Sequence, residues 1–343
     1  MKLEGYLWGK TRLVICSDLH YTSRFTIGKS GERVSRLDTN IKKIVNDSKK
    51  ADALIIAGDI FQVPNPTSED RKQLASLLSS VGKPVYIIAG NHDFDAGICA
   101  LDDIPYYNPS RFNIYNEIKE VIVCGFNVLF IPWGLPSEQA ANLRKFPDSK
   151  FDFLVGHCEV RGGLAQPEFV WKEGLSLDEL IRVVKPGGAV FYGHFHPQKV
   201  INYKDRIVIQ PGAPIRLGFQ HEKLEPGYIV VEKYRVYPQT LLDAEFHTVR
   251  SIKDVDDLID KDKVSGNFFR IQSNPKLSVD IENKLIEYKA SDIQLDWQQG
   301  KQDDVLVVLD NCNLNVKDEF SKYLKKKYPE IGKRLVFLSR RYL

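Results

Sequence analysis

The sequence predicts a layered α/β fold: two sheets with helices on their outer faces, then a small α+β unit and a C-terminal helix. Three observations lead there. Short apolar runs alternate with helical stretches through the first two-thirds of the chain. Further apolar runs are separated by tight turns, as in antiparallel hairpins. Past Leu242 the pattern shifts to a compact strand–helix–strand sequence and then an amphipathic helix.

The buried-strand candidates are residues 13–16, 53–57, 85–89, 153–155 and 189–192. Each is rich in Val, Ile and Leu and bounded by turn signals. Between them, residues 37–50 place Leu37, Ile41, Ile44 and Val45 at helical spacing. Residues 68–81 do the same with Leu74, Leu77, Leu78 and Val81, with Ser68 as N-cap. Residues 120–124 and 127–133 flank Gly125-Phe126 as a hairpin. Residues 207–210, 228–232 and 235–237 suggest a further antiparallel group. Beyond Leu242, residues 267–273 and 292–297 read as strands and 279–289 as a helix. Residues 316–328 form an amphipathic helix with Phe320, Tyr323, Leu324 and Tyr328 on one side.

A chain of 343 residues suits about two domains. With 43% hydrophobic and 27% charged residues it is neither disordered in bulk nor collagen-like. No run of about 18 apolar residues occurs, so no membrane span is expected, and the start of the chain does not read as a signal peptide. Five scattered cysteines without C-x-x-C spacing argue against a disulfide framework or zinc ribbon and for a reducing cytosol. Net charge is +3. From Val316 to Leu343 there are nine Lys/Arg against three Asp/Glu, so the tail is basic and the rest slightly acidic. Such a tail suits phosphate, an acidic partner or a solvated helix face.

The chemistry gathers at predicted strand ends. Five segments stand there: Asp18-Leu19-His20, Gly58-Asp59, Gly90-Asn91-His92-Asp93, Gly156-His157 and Gly193-His194-Phe195-His196. Loops at the carboxyl ends of strands in an open α/β sheet converge on one crevice, so these segments meet. Imidazole with carboxylate suits Mn, Fe or Zn better than Ca. The groups suffice for two ions if one carboxylate bridges them, and two such ions can clamp a phosphate and activate a water. No G-x-S-x-G and no G-x-x-x-x-G-K-S/T occurs, so neither a serine hydrolase nor an ATPase site is visible. Cys158 adjoins His157, but neighbouring strand residues face opposite ways, which removes it from the site.

The ordered set D-x-H, G-D, G-N-H-D, G-H and G-H-x-H resembles the calcineurin-like metallophosphoesterase superfamily over about residues 10–214, including the turn Gln210-Pro211-Gly212-Ala213-Pro214. Within it, Gly58-Asp59-Ile60-Phe61, Ile131-Pro132-Trp133 and Gly156-His157-Cys158-Glu159 resemble the DNA double-strand-break repair nucleases of the SbcD type and their bacteriophage recombination counterparts. The resemblance implies a four-layer α/β/β/α metallophosphoesterase sandwich over residues 1–242. It implies a capping domain over 243–299 and a partner-binding segment over 300–343. It also implies two divalent ions, most readily Mn(II). Asp18, His20 and His196 would hold one ion and Asn91, His157 and His194 the other, with Asp59 bridging. His92 would bind no metal but steady the scissile phosphate or protonate the leaving oxygen, a task suited to a histidine near neutral pKa. Capping a helix is its plainer alternative. Asp93 would orient the loop.

The implied activity is Mn-dependent hydrolysis of DNA at ends or hairpins in repair and recombination. The implied partners are DNA, an ABC-type SMC-like ATPase docked on the 316–328 helix, and a second copy of the chain. The implied place is the cytosol of a bacterium or a phage-infected host. Some relatives carry G-D-x-F-H, and here Gln62 takes the place of that second histidine. A small-molecule phosphodiesterase of the same fold, or a weakly catalytic DNA-end-binding scaffold, are the competing readings.

Overall fold

The computed structural model describes residues 11–296, apart from 26–29, 96–97, 103, 105–109, 163, 167–168, 171, 223, 233–234 and 274. The 316–328 helix and the rest of the C-terminal segment lie outside the described residues. The chain divides into two compact units, Met1–Ala244 and Glu245–Leu343.

In the first unit the chain runs β1 (Arg12–Cys16), α1 (Ser30–Ser48), β2 (Ala53–Ala57), α2 (Ser68–Ser79) and β3 (Val85–Ile88). A small ribbon follows, β4 (Phe94–Asp95) and β5 (Ile98–Cys99), then β6 (Phe112–Tyr115), β7 (Lys119–Val123), β8 (Phe126–Ile131), α3 (Pro136–Leu143) and β9 (Phe151–His157). Next come a second ribbon, β10 (Leu164–Gln166) and β11 (Phe169–Val170), then α4 (Leu177–Arg182), β12 (Val184–Gly193), β13 (Lys199–Tyr203) and β14 (Arg206–Gln210). The unit closes with β15 (Gly227–Glu232) and β16 (Arg235–Thr240).

Two six-stranded sheets form, in the orders β16-β15-β1-β2-β3-β6 and β13-β14-β12-β9-β8-β7. In the first sheet β1, β2, β3 and β6 are parallel, and β15 and β16 join by antiparallel pairing. In the second the four central strands are parallel and both outer pairs antiparallel. The central strands alternate two apolar faces. Leu13, Ile15, Ile55 and Ile88 of the first sheet pack on Phe130, Phe153, Val155 and Phe191 of the second. The opposite face of the first sheet, with Val14, Leu54 and Ile87, covers Leu37, Ile41 and Leu74 of α1 and α2. That of the second, with Leu129, Leu154 and Val190, covers Leu143 of α3 and Leu180 of α4. This is the α/β/β/α sandwich, and burying strands on both faces explains their near-continuous apolar sequence.

Several local expectations are corrected. Helix α1 starts seven residues before Leu37, because its first two turns are polar and carry no apolar stripe. The N-cap of α2 is Thr67 rather than Ser68: its hydroxyl accepts from Asp70 N–H while Asp70 reaches back to the Thr67 amide. The β7–β8 turn is Cys124-Gly125, with φ of 50° and 90°, and Phe126 is already in the strand. A two-residue hairpin turn needs positive φ at both places, which a bulky phenylalanine resists. Residues 207–210, 228–232 and 235–237 do not form one group: β14 pairs with β12 and β13 in the second sheet, whereas β15 and β16 extend the first.

The second unit, described to Asp296, is a β-α-β-α-β winding: β17 (Phe246–Val249), α5 (Ile252–Ile259), β18 (Phe268–Ile271), α6 (Pro275–Glu287) and β19 (Asp292–Leu295). All its strands are parallel, around Val255, Phe269, Ile281 and Leu285. Among the described residues no helix is long and apolar enough to cross a membrane.

Candidate metal centre

Parallel pairing sets strand ends level: Cys16 opposite Ile56, Ala57 opposite Ile88, and His157 opposite Gly193. The loops that follow therefore meet at one edge of the sandwich, and they are stitched by backbone. Asp18 N–H donates to Gly58 O (3.0 Å), His20 N–H to Asp59 O (3.0 Å) and Tyr21 N–H to Ile60 O (2.9 Å). Four of the nine non-glycine residues with positive φ among the described residues are here: Asp18, His20, Asp59 and His194. Such backbone is costly and collects where a side chain must be aimed. Gly90 is forced by closeness: a Cβ there would lie 2.2 Å from the amide and Oδ1 of Asp59.

All eight sequence-predicted residues come together. Asp18, His20 and His196 each offer a donor atom within 4.8 Å of the others, as do Asp18, Asp59 and His157. His20 Nε2 lies 3.1 Å from His196 Nε2 and 3.6 Å from Asp59 Oδ2. On the other side, Asn91 Oδ1 is 3.1 Å from His157 Nε2 and 3.0 Å from His194 Nδ1, and His157 Nε2 is 3.4 Å from Asp59 Oδ1. Asp59 thus faces both groups. His92 stands at their edge, half-buried. Its amide donates to Asp59 Oδ1 (2.8 Å) and its Nδ1–H to the Gln62 carbonyl (2.9 Å). A His92 donor atom also falls within 4.8 Å of those of His20 and Asp59.

The electrostatics suit a cation. Asp18 and Asp59 are both buried, and so are His20 and His157. Burial raises Asp18 to about 7, opposed by His157 and reinforced by the Asp59 charge. Burial would raise Asp59 too, but His157, charged against it and bonded to it, holds it well below the usual carboxylate range. Burial pulls His157 down, yet Asp59 more than reverses this, to about 9. Burial lowers His20 to about 3 and His194 to about 4, and holds His196 well below the ordinary value. These last three rings are neutral at pH 7, the form that ligates metal. Asp18 Oδ2 and His20 Nδ1 are buried without a hydrogen-bond partner. Unpartnered buried donors and acceptors are rare, and clustered acids and imidazoles account for them if cations bind here. The residues fit divalent ions.

Four residues around the donors matter more than the sequence indicated. Asp93, buried, accepts from the amides of Gly90 (2.8 Å), Ile60 (3.1 Å) and Phe61 (3.0 Å). It clamps the Asp59 loop to the Asn91 loop. His221, outside the five strand-end segments, places its Nε2 2.9 Å from His196 Nδ1, while its Nδ1 accepts from Leu217 N–H (3.0 Å). Gln139 donates to the carbonyls of Pro132 (2.9 Å) and His157 (3.1 Å). Trp133 stacks on His194 with ring centroids 5.0 Å apart. Cys158 turns away into the core, and burial pushes its thiol up to about 12.

A sandwich whose strand-end loops converge on buried carboxylates, imidazoles and one asparagine defines a metal-dependent phosphoester hydrolase. Residues 11–198, more than half of the chain, match the calcineurin-like phosphoesterase family, and the chain belongs to it. It is 22% identical over 204 residues to the 3',5'-cyclic adenosine monophosphate phosphodiesterase CpdA of Haemophilus influenzae, covering 56% of this chain and 74% of that one. It is 24% identical over 251 residues to the SbcD polypeptide of the nuclease SbcCD of Bacillus subtilis, covering 61% of this chain and 63% of that one. The chain thus spans less than two thirds of the latter relative. Among solved structures, TT1561 of Thermus thermophilus aligns with 68% of this chain and 99% of its own length, at 13% identity and a TM-score of 0.42.

Proposed function

We propose that the protein is the nuclease component of a DNA repair or recombination complex and hydrolyses phosphodiester bonds at DNA ends or hairpins. The observation that carries the chemistry is the seven-residue donor set joined at Asp59, with His92 half-buried at its edge. Asp18, His20 and His196 hold one divalent ion and Asn91, His157 and His194 the other, with Mn(II) as the natural occupant of such nitrogen–oxygen sites. Bound there, the two ions neutralise phosphate charge and lower the pKa of water. The chain's own residues do the rest. Asp59 joins the two halves. Asp93 keeps their loops in register. The His92 ring, oriented through Nδ1 by the Gln62 carbonyl, supplies a proton to the leaving oxygen from Nε2 when charged.

The DNA preference rests on the likeness to SbcD and on the segments 58–61, 131–133 and 156–159. With it come an ABC-type ATPase partner on the 316–328 helix, pairing with a second copy, and a DNA-placing role for the second unit. The likeness to CpdA favours a second reading, hydrolysis of a cyclic nucleotide at the same centre. Metal-stripped protein given Mn or Mg and end-labelled duplex DNA, beside cyclic AMP, decides between them. Mn-dependent shortening that is lost in Asp59→Asn supports the nuclease. Cyclic AMP turnover without DNA cleavage supports the second reading.

A further inference from the structure

A cavity of about 470 Å³ opens beside the Asn91–His157–His194 half of the centre. The donor cluster makes no use of it. Trp133 forms one wall and is fixed from several sides. Its amide donates to Ala89 O (2.9 Å), one ring face lies against His194, and its ring meets His157 edge-on at 6.0 Å. Gln139 from α3 pins the preceding carbonyl, that of Pro132. Around this wall stand Asn116, Glu117, Glu138, Asn142 and Lys145, with Lys145 donating to Asn142 Oδ1 (2.7 Å).

The lining has a particular chemistry. A fixed indole offers a stacking surface for a flat ring. Side-chain amides each pair a donor with an acceptor, the pattern that reads a base edge. With Glu117 and Glu138 against the single Lys145 the lining is not basic, so it suits a neutral base rather than the phosphate beside it. The cavity is of the size that holds small ligands. It is one aromatic ring removed from a candidate metal ligand.

We propose that this cavity seats the nucleobase of the nucleotide adjoining the scissile phosphodiester, on the Asn91 side of the centre. Trp133 is its stacking wall, and Asn116 and Asn142 meet the base edge. The inference rests on the reading that the substrate is a nucleic acid strand, and it makes that strand a single one at this point, since a paired base is not free to enter.

The test uses the full chain with single-stranded oligonucleotides that share one cleavage position. One is intact, and two carry an abasic residue on either side of the scissile bond. Removing the base on one side, and not the other, should raise KM about tenfold, in line with the loss of one base–aromatic stack. Asn142→Leu should raise KM for the intact strand and leave KM for that abasic strand unchanged. Equal KM for all three strands overturns the cavity's role while leaving the nuclease intact. A binding arm works without turnover: in metal-stripped protein the intact strand should quench tryptophan fluorescence, and the matching abasic strand should not. Trp133→Phe should lose this quenching. Equal quenching by both strands overturns the proposal even if no DNA is cleaved, whereas failure of cleavage with selective quenching removes the nuclease reading alone.

Discussion

Asp18, His20 and His196 are held by one another, by the His194 amide and by the His221 imidazole, whereas Asn91, His157 and His194, also bonded among themselves, are braced by a backbone carbonyl, the Gln139 amide and an indole. In the first half, His196 leans on His221, and His20 Nδ1 is left unpartnered. In the second, His157 Nδ1–H donates to the Ala57 carbonyl (2.8 Å), Gln139 grips the His157 carbonyl, and Trp133 backs His194. The first half carries an acid of its own, and the second has only the neutral amide of Asn91. Two donor groups that meet at one aspartate thus differ in charge and in what keeps them rigid, so as metal sites each should fail to a different substitution.

The largest effect is expected where the halves join. Gly90→Ala drives a Cβ into Asp59, so both halves should lose metal together and turnover should fall by about 100-fold or more. Metal titration and initial rates check this, with circular dichroism confirming the fold. Next, His221→Ala removes the neighbour that aims His196. Affinity at one of two sites should drop about 10–100-fold, the usual scale for the groups that orient metal ligands, with the other site unchanged. Isothermal titration with Mn resolves the two events.

Acidity should sharpen the same contrast. A cation held by the proposed donor set would require Asp18, raised to about 7, and His157, raised to about 9, to be deprotonated. Affinity should therefore strengthen with pH by about tenfold per unit for each proton displaced, most steeply below about 7 where two are displaced, less steeply between about 7 and 9, and level off above. A flat profile would contradict the buried electrostatics. The smallest effect falls on stability: Gln139→Leu leaves two carbonyls without their donor and should cost about 1–3 kcal/mol in urea unfolding, since desolvated acceptors are expensive to leave unmet.

What the sequence revealed follows from which interactions leave a periodic or motif-like trace. Strands buried on both faces show as unbroken apolar runs, so residues 53–57 are read as observed in β2. The polar start of α1 shows nothing of the kind. Pairing partners are equally silent: residues 207–210 look like those at 228–232, yet they lie in different sheets. The donors were legible because each stands at a strand end, in four of the five segments directly after a glycine or within that glycine's short motif. His221 and Gln139 act through a neighbour and belong to no motif, and Trp133, which does stand in the 131–133 segment, carries no metal-donor atom that would mark its role. Gln139 had one faint signal, a polar residue beside Ala140 and Leu143 on the buried face of α3. In the second unit β17 and α5 were missed, their short apolar stretches lying among Glu245, Lys253, Asp254 and other charges.

The central claim is that two differently built sites share Asp59. Counting Mn(II) ions bound to metal-stripped protein, beside Asn91→Ala, tests it most directly. Two ions per chain, reduced to one when Asn91 is replaced, is the expected result. A single ion in the unaltered protein, or two retained without Asn91, would contradict the account.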